Sequence, residues 1–156
     1  MPLALALYQP DIAQNTGTLL RLGACLGVDV HIIHPTGFPF SRAALKRSGM
    51  YYLDAVEMIE HTGFAAFEAW RQHNQRRLVL LTTRADRYHH EVAFGPNDVL
   101  MLGRESAGVP DDVAARADLR VRIAMRPQVR SLNVAVSGAL VLGEALRQTK
   151  AFDALS

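Results

Sequence analysis

Leu78-Val79-Leu80-Leu81 and Val99-Leu100-Met101-Leu102 are two apolar tetrads with no polar residue inside them. A strand with one wet face alternates apolar and polar residues, whereas a strand covered on both faces reads as an unbroken apolar run. Both tetrads therefore predict strands of a buried parallel sheet. Leu3-Ala4-Leu5-Ala6-Leu7-Tyr8, closed by Pro10, and Val28 to Ile33, stopped by Pro35 and Gly37, read the same way. The segments between these runs carry helical spacing. Strands that alternate with helices predict an α/β fold, a mostly parallel sheet with helices on both faces. Ligands of open parallel sheets bind outside the carboxyl ends of the strands. The polar loops after Leu81, Leu102 and Met125 are the expected site.

Working outward, Asn15-Thr16-Gly17 offers a helix start, and Leu19, Leu20, Leu22, Ala24 and Leu26 line a helix that stops at Gly27, with Cys25 expected in its core stripe. Ser41 caps a short basic helix through Arg47. Ala55 to Ile59 reads as a weaker strand, and Phe64 to Gln72 as an amphipathic helix. Pro110 suits the first turn of a helix that leads to Ala117, Val121 to Met125 reads as a last strand, and Leu132 to Lys150 as a long helix with Ser131 as its cap. That helix is apolar nearly all round: Val134, Val136, Leu140, Val141 and Leu142 accompany a small-residue line of Ala135, Ala139 and Gly143. Such a helix is expected to be buried, either within the domain or against a second subunit.

At 156 residues the chain is expected to be one domain spanning 1–156. Hydrophobic residues at 49% and charged residues at 21% exclude disorder. No apolar run approaches the ~20 residues of a membrane span, and no signal pattern opens the chain. A cytoplasmic protein without a membrane partner is expected, and the single cysteine fits a reducing compartment. Net charge is only +2, yet 15 of the 17 cationic side chains are Arg, with Lys at 46 and 150 alone. Arg suits bidentate phosphate recognition and stacking on bases. Two clusters (Arg71, Arg76, Arg77, Arg84, Arg87 and Arg116, Arg120, Arg122, Arg126, Arg130) point either to RNA or to the coding bias of a high-GC genome.

Several signatures fail. Gln9 to Asn15 holds no glycine-rich turn for a dinucleotide. Gly103 to Gly108 has phosphate-loop spacing without the Lys-Ser/Thr that would follow it. Ser106 lacks the glycine frame of a hydrolase nucleophile. His89-His90 has no second pair at ligand spacing, so no metal is expected. Three segments resist a purely structural explanation. Asn15-Thr16-Gly17-Thr18-Leu19-Leu20-Arg21 carries a cation on the second helical turn. Leu102-Gly103-Arg104-Glu105-Ser106-Ala107-Gly108-Val109-Pro110 sets a carboxylate in a turn between two glycines, and Glu is a poor turn residue without a partner. Ile123 to Ser137 runs from a strand through a basic loop into a helix whose start offers backbone donors.

In this order the three segments resemble the SPOUT superfamily of RNA methyltransferases, and within it the short tRNA (cytidine/uridine) 2′-O-methyltransferase branch that modifies the wobble position. Leu5 to Pro10, Ile32 to Phe38 and Leu80 to Thr83 fall where that family has similar strings, so the likeness covers nearly the whole chain. The chain departs from the family pattern at Arg104, Ala107 and Ala124, where Pro, a basic residue and Pro are usual. The resemblance implies a C-terminal trefoil knot. It also implies S-adenosylmethionine as cofactor, held by Leu81, Thr82, Gly103, Ile123, Met125, Ser131 and Leu132, with Glu105 and Asn133 shaping the pocket. Arg21 would be the catalytic residue, Arg126 and Arg130 would face the RNA, and a tRNA anticodon stem-loop and a second subunit would be the partners. Two other functions stay open on the residues alone: a non-catalytic RNA-binding protein with the same fold, and a small-molecule enzyme using the same sheet-edge cleft.

Overall fold

The structure is a computed structural model that describes residues 2–47, 50–129 and 132–156. Its strands are β1 (Ala4–Tyr8), β2 (Asp29–Ile33), β3 (Met58–His61), β4 (Leu78–Leu81), β5 (Val99–Leu102) and β6 (Leu119–Val121). Its α-helices are α1 (Ala13–Leu26), α2 (Arg42–Arg47), α3 (Phe64–His73), α4 (Asp111–Ala115) and α5 (Val134–Gln148). The strands form one sheet in the order β3-β2-β1-β5-β4-β6, and every pairing is parallel. Both apolar tetrads are strands over their full length, and they lie side by side with Leu78 opposite Val99 and Leu81 opposite Leu102.

Because strand side chains alternate, the sheet separates two cores. Leu5, Leu7, Val30, Ile32, Leu100 and Leu102 pack with Leu19 and Leu20 of α1 and Val141 and Leu142 of α5. Ala4, Ala6, Tyr8, Leu78, Leu80 and Met101 pack with Phe67 of α3 and Val113 of α4. Helices therefore cover both faces. On the first side α5 lies close to the sheet: a Cβ at Gly138 would come within 2.9 Å of Leu102 and Leu19 side-chain carbons.

Four local expectations shift. The weak strand expected at 55–59 is a 3-10 turn over Tyr51–Ala55 followed by β3, whose Met58 pairs with Val30. The last strand stops at Val121 rather than Met125, because its one neighbour β4 ends at the paired Leu81. Arg122 then makes only an isolated bridge to Tyr88. α4 stops at Ala115, where the Arg116 amide turns back to the Val113 carbonyl. Cys25 is exposed, since α1 buries Leu19, Leu20 and Gly23 instead. Of the two settings expected for α5, its own chain does not supply full enclosure: Val136 is 48% and Leu140 47% exposed.

Much of the first Arg cluster holds the fold together. Arg71 is buried and donates to both Glu68 oxygens, to Asp118 and to the Arg76 carbonyl. Arg77 grips the buried Asp98 at 2.9 and 2.7 Å, and Arg116 adds a second cation to Glu68. Buried Arg76 bonds the carbonyls of Asn97 and Pro2.

Candidate active site

The chain leaves β1 toward α1 and β2 on one side of the sheet, while β5, β4 and β6 lie on the other. The loops beyond β1 and β5 therefore face each other at the point where strand order reverses, where parallel sheets hold their ligands. Asp11 comes from the first loop and Glu105 from the second. The Glu105 amide donates to Asp11 Oδ1 at 3.0 Å, and the Asp11 amide donates to Glu105 Oε2 at 3.2 Å. The Ser106 hydroxyl also donates to Asp11 Oδ2. Glu105 thus has the partner that its turn position demanded.

Asn15 carries the connection further. It does not cap α1, which begins earlier, at Ala13 after Ile12; it is buried one turn in. Its Nδ2 donates to Glu105 Oε1 at 3.3 Å, and its Oδ1 accepts from Asn133 Nδ2 at 3.0 Å. Asn133 in turn caps α5, its Oδ1 accepting from the amides of Ala135 and Val136. A directed chain of hydrogen bonds thus runs from the α5 terminus through two amides to the carboxylate of Glu105. The Asp11 carboxyl is lowered to about 2, chiefly by its hydrogen bond with Glu105. Glu105 is raised, first by burial and then by Asp11, so a proton added to the pair goes to Glu105.

The second loop is closed by reciprocal backbone hydrogen bonds, Arg104 N to Gly108 O at 3.0 Å and Gly108 N to Arg104 O at 2.9 Å. Both glycines are required by this geometry. A Cβ at Gly103 would stand 2.8 Å from the Gly108 backbone, and Gly108 has φ +60, which favours glycine. Arg104 turns inward: its guanidinium lies 5.5 Å from the Tyr8 ring centroid, and its Nε donates to Gly108 O.

Between these loops and the start of α5 lies a cavity of about 680 Å³. Leu81 and Thr82 reach it from the end of β4, Gly103 and Glu105 from the loop after β5, Ile123 and Met125 from the segment after β6, and Leu132 and Asn133 from the approach to α5. The other sequence candidates at this end, Ser131 and Arg130, lie outside the described residues. Arg126 is exposed in the loop after Met125. The cavity also takes in Arg84, Arg120 and Arg122; Arg122 lies 4.9 Å from the Tyr88 ring centroid, with its Nε buried and unpartnered. Sequence singled out neither Asp11 nor Tyr88, and Arg122 only as one member of an Arg cluster. Asp11 carried a usable signal, an acid in the loop after β1 with no local cap to make.

Arg21 is exposed and lies outside this cavity. It lines a second one of about 500 Å³ on another side of α1, with its guanidinium 5.2 Å from the Tyr52 ring centroid. Among the described residues no group of three or more His, Cys, Asp or Glu is arranged to hold a metal ion, and no helix is long and apolar enough to cross a membrane.

Comparison with known proteins bears on this site. A tRNA (cytidine(34)-2'-O)-methyltransferase of Beijerinckia indica is 58% identical over 147 residues, 94% of this chain and 92% of that protein. A solved structure described as structural insights into the 2-OH methylation of C/U34 on tRNA superposes with TM-score 0.86 at 40% identity, covering 94% of this chain and 95% of its own. A SpoU methyltransferase from Streptomyces viridochromogenes in complex with the cofactor AdoMet shares the fold, with TM-score 0.82 at 20% identity over 93% of this chain and 59% of its own. The SpoU rRNA Methylase family itself matches residues 2–143, and the chain belongs to that family.

Proposed function

We propose that this chain is an S-adenosylmethionine-dependent tRNA 2′-O-methyltransferase that acts on the ribose of the wobble cytidine or uridine, nucleotide 34. One observation carries the reading. Residues from four separate loops meet round one cavity at the switch point, and a relative 58% identical over 94% of the chain bears the name of that activity. The proposal extends to a single cytoplasmic domain over residues 1–156 with a knotted C-terminal part. Support for the knot is that the segments after β5 and β6 wrap the same cavity before α5 returns onto α1 and β5.

The larger cavity fits the cofactor. Its volume lies within the ~300–1,000 Å³ of small-molecule sites. Leu81, Leu102, Ile123, Met125 and Leu132 supply apolar wall for an adenine, and the Gly103 to Gly108 bridge keeps backbone, not side chain, at its edge. We assign Leu81, Thr82, Gly103, Glu105, Ile123, Met125, Leu132 and Asn133 to holding it, with Ser131 beside them in sequence. When bound, the cofactor supplies an electrophilic methyl group. The chain's own task is to hold the ribose hydroxyl in line and to stabilise charge that develops on it. Arg21 is the proposed catalytic residue. A guanidinium stays protonated, so its role is to anchor the adjacent phosphate and stabilise the forming alkoxide rather than to remove the proton. Arg126 and Arg130 are assigned to the RNA.

A homodimer belongs to the same reading. Val136 and Leu140 leave an apolar line open on α5, and in one chain Arg21 and the larger cavity do not share a space. The test is methyl incorporation from labelled cofactor into bulk tRNA by the wild type and by Arg21→Ala. Incorporation lost in the variant with cofactor affinity retained supports the reading. No incorporation by the wild type, with RNA binding intact, would make the chain a non-catalytic RNA-binding protein.

A further inference from the structure

The second cavity has walls of a different kind from the first. One wall is α1, which presents Gln14, Gly17 and Arg21; the facing wall is Phe38, Met50 and Tyr52. Tyr52 is fixed to the helix, since its hydroxyl donates to the Gly17 carbonyl at 2.8 Å. That hydrogen bond holds the ring with the Arg21 guanidinium over one of its faces, 5.2 Å from the centroid. An aromatic ring, a cation and an amide converging on a cavity of about 500 Å³ is the chemistry that receives an unstacked base. Phosphate contact alone would need none of the aromatic surface.

We propose that this cavity seats the target pyrimidine, with the base lying against Tyr52, its backbone beside Arg21 and its edge facing Gln14. The proposal rests on the tRNA 2′-O-methyltransferase reading above. Gln14 is exposed on α1 and its amide both donates and accepts. Cytosine offers an amino donor beside a ring-nitrogen acceptor, and uracil an N–H donor beside a carbonyl acceptor. One amide answers either edge, so a site of this composition admits both pyrimidines.

The test is an anticodon stem-loop carrying the fluorescent base pyrrolocytosine at the target position, titrated with wild type, Tyr52→Phe, Tyr52→Leu and Gln14→Ala. Wild type should give a clear emission change on binding, and Tyr52→Phe, which keeps the ring but loses its tether to Gly17, should retain most of it. Tyr52→Leu should lose most of that change and bind about tenfold more weakly, the loss of one base–aromatic stack, with cofactor affinity unchanged. Gln14→Ala should raise KM for cytidine-34 and uridine-34 stem-loops alike. An undiminished emission change in Tyr52→Leu overturns the proposal. So does a shift of Tyr52→Leu alone to a different sedimentation coefficient with emission intact, which would give the cavity to a second copy of the chain. Failure of the wild type to bind or methylate the unlabelled stem-loop is a separate result that overturns the underlying reading.

Discussion

Asp11 and Glu105 stand 94 positions apart and hold each other through both backbones: each carboxylate accepts the other residue's amide N–H. The clamp joins the loop after β1 to the loop after β5, and Asn15 joins both to the cap of α5. Replacing Asp11 by Ala strands the Glu105 amide and the Ser106 hydroxyl. The expected cost is about 1–2 kcal/mol for these half-exposed hydrogen bonds, seen in a denaturation midpoint, together with weaker cofactor binding by calorimetry. An unchanged cofactor affinity would show that the clamp does not shape the cavity.

Gly103→Ala directs a Cβ at the Gly108 backbone, 2.8 Å away, and backbone on both sides leaves nothing to yield. The bridge between Arg104 and Gly108 should open, and cofactor affinity should fall at least tenfold while the circular dichroism of the sheet persists. Affinity within twofold of wild type would mean that this loop does not border the cofactor.

Gly143→Arg tests the α5 line. A Cβ at Gly143 meets nothing within 4 Å in one chain, so a monomer accommodates the side chain. An interface would instead have to bury an unpaired charge, at a cost of several kcal/mol. Sedimentation should report a folded monomer for the variant and a dimer for the wild type. A stable variant dimer would place the interface elsewhere.

His31 and His61 form a buried pair, Nδ1 to Nε2 at 2.8 Å, beside Phe67 and Trp70. Burial lowers both, His31 to about 3, so the folded protein keeps them neutral. The unfolded chain then binds more protons below the ordinary histidine value of 6.5. Their contribution is complete above that pH and declines as pH falls below it, by about 1.4 kcal/mol per pH unit for each proton taken up on unfolding. Glu105, raised by burial, acts in the opposite sense. Denaturant midpoints between pH 7 and about 5 should fall in wild type and stay flatter in the double variant His31→Leu/His61→Leu. Parallel slopes would remove the pair from the acid response.

What the sequence disclosed depended on how local the cause was. β4 and β5 were legible because a strand covered on both faces writes itself as an apolar run, and the loops after β4, β5 and β6 meet round the cavity at the strand ends. Asn15 reads locally as a helix start, whereas its partners, Glu105 and Asn133, are 90 and 118 positions away. The cap of α5 is Asn133, not Ser131, because the side chain that reaches the free amides belongs to the residue just before the helix. The Arg excess divides only in three dimensions: Arg71 and Arg77 neutralise Glu68 and Asp98, whereas Arg21 and Arg126 stay exposed. Nor does spacing place Arg21 in a different cavity from Gly103 and Met125; only the packing of α1 does that.

The most direct measurement is to locate the methyl group. Anticodon stem-loops with cytidine or uridine at position 34 are incubated with the protein and labelled S-adenosylmethionine, digested with alkali and mapped. The expected result is one label, on the ribose of nucleotide 34, appearing as an alkali-resistant dinucleotide because the blocked 2′-hydroxyl cannot attack its phosphate. Label on a base, label at another nucleotide, or a fully alkali-labile product would contradict the assignment.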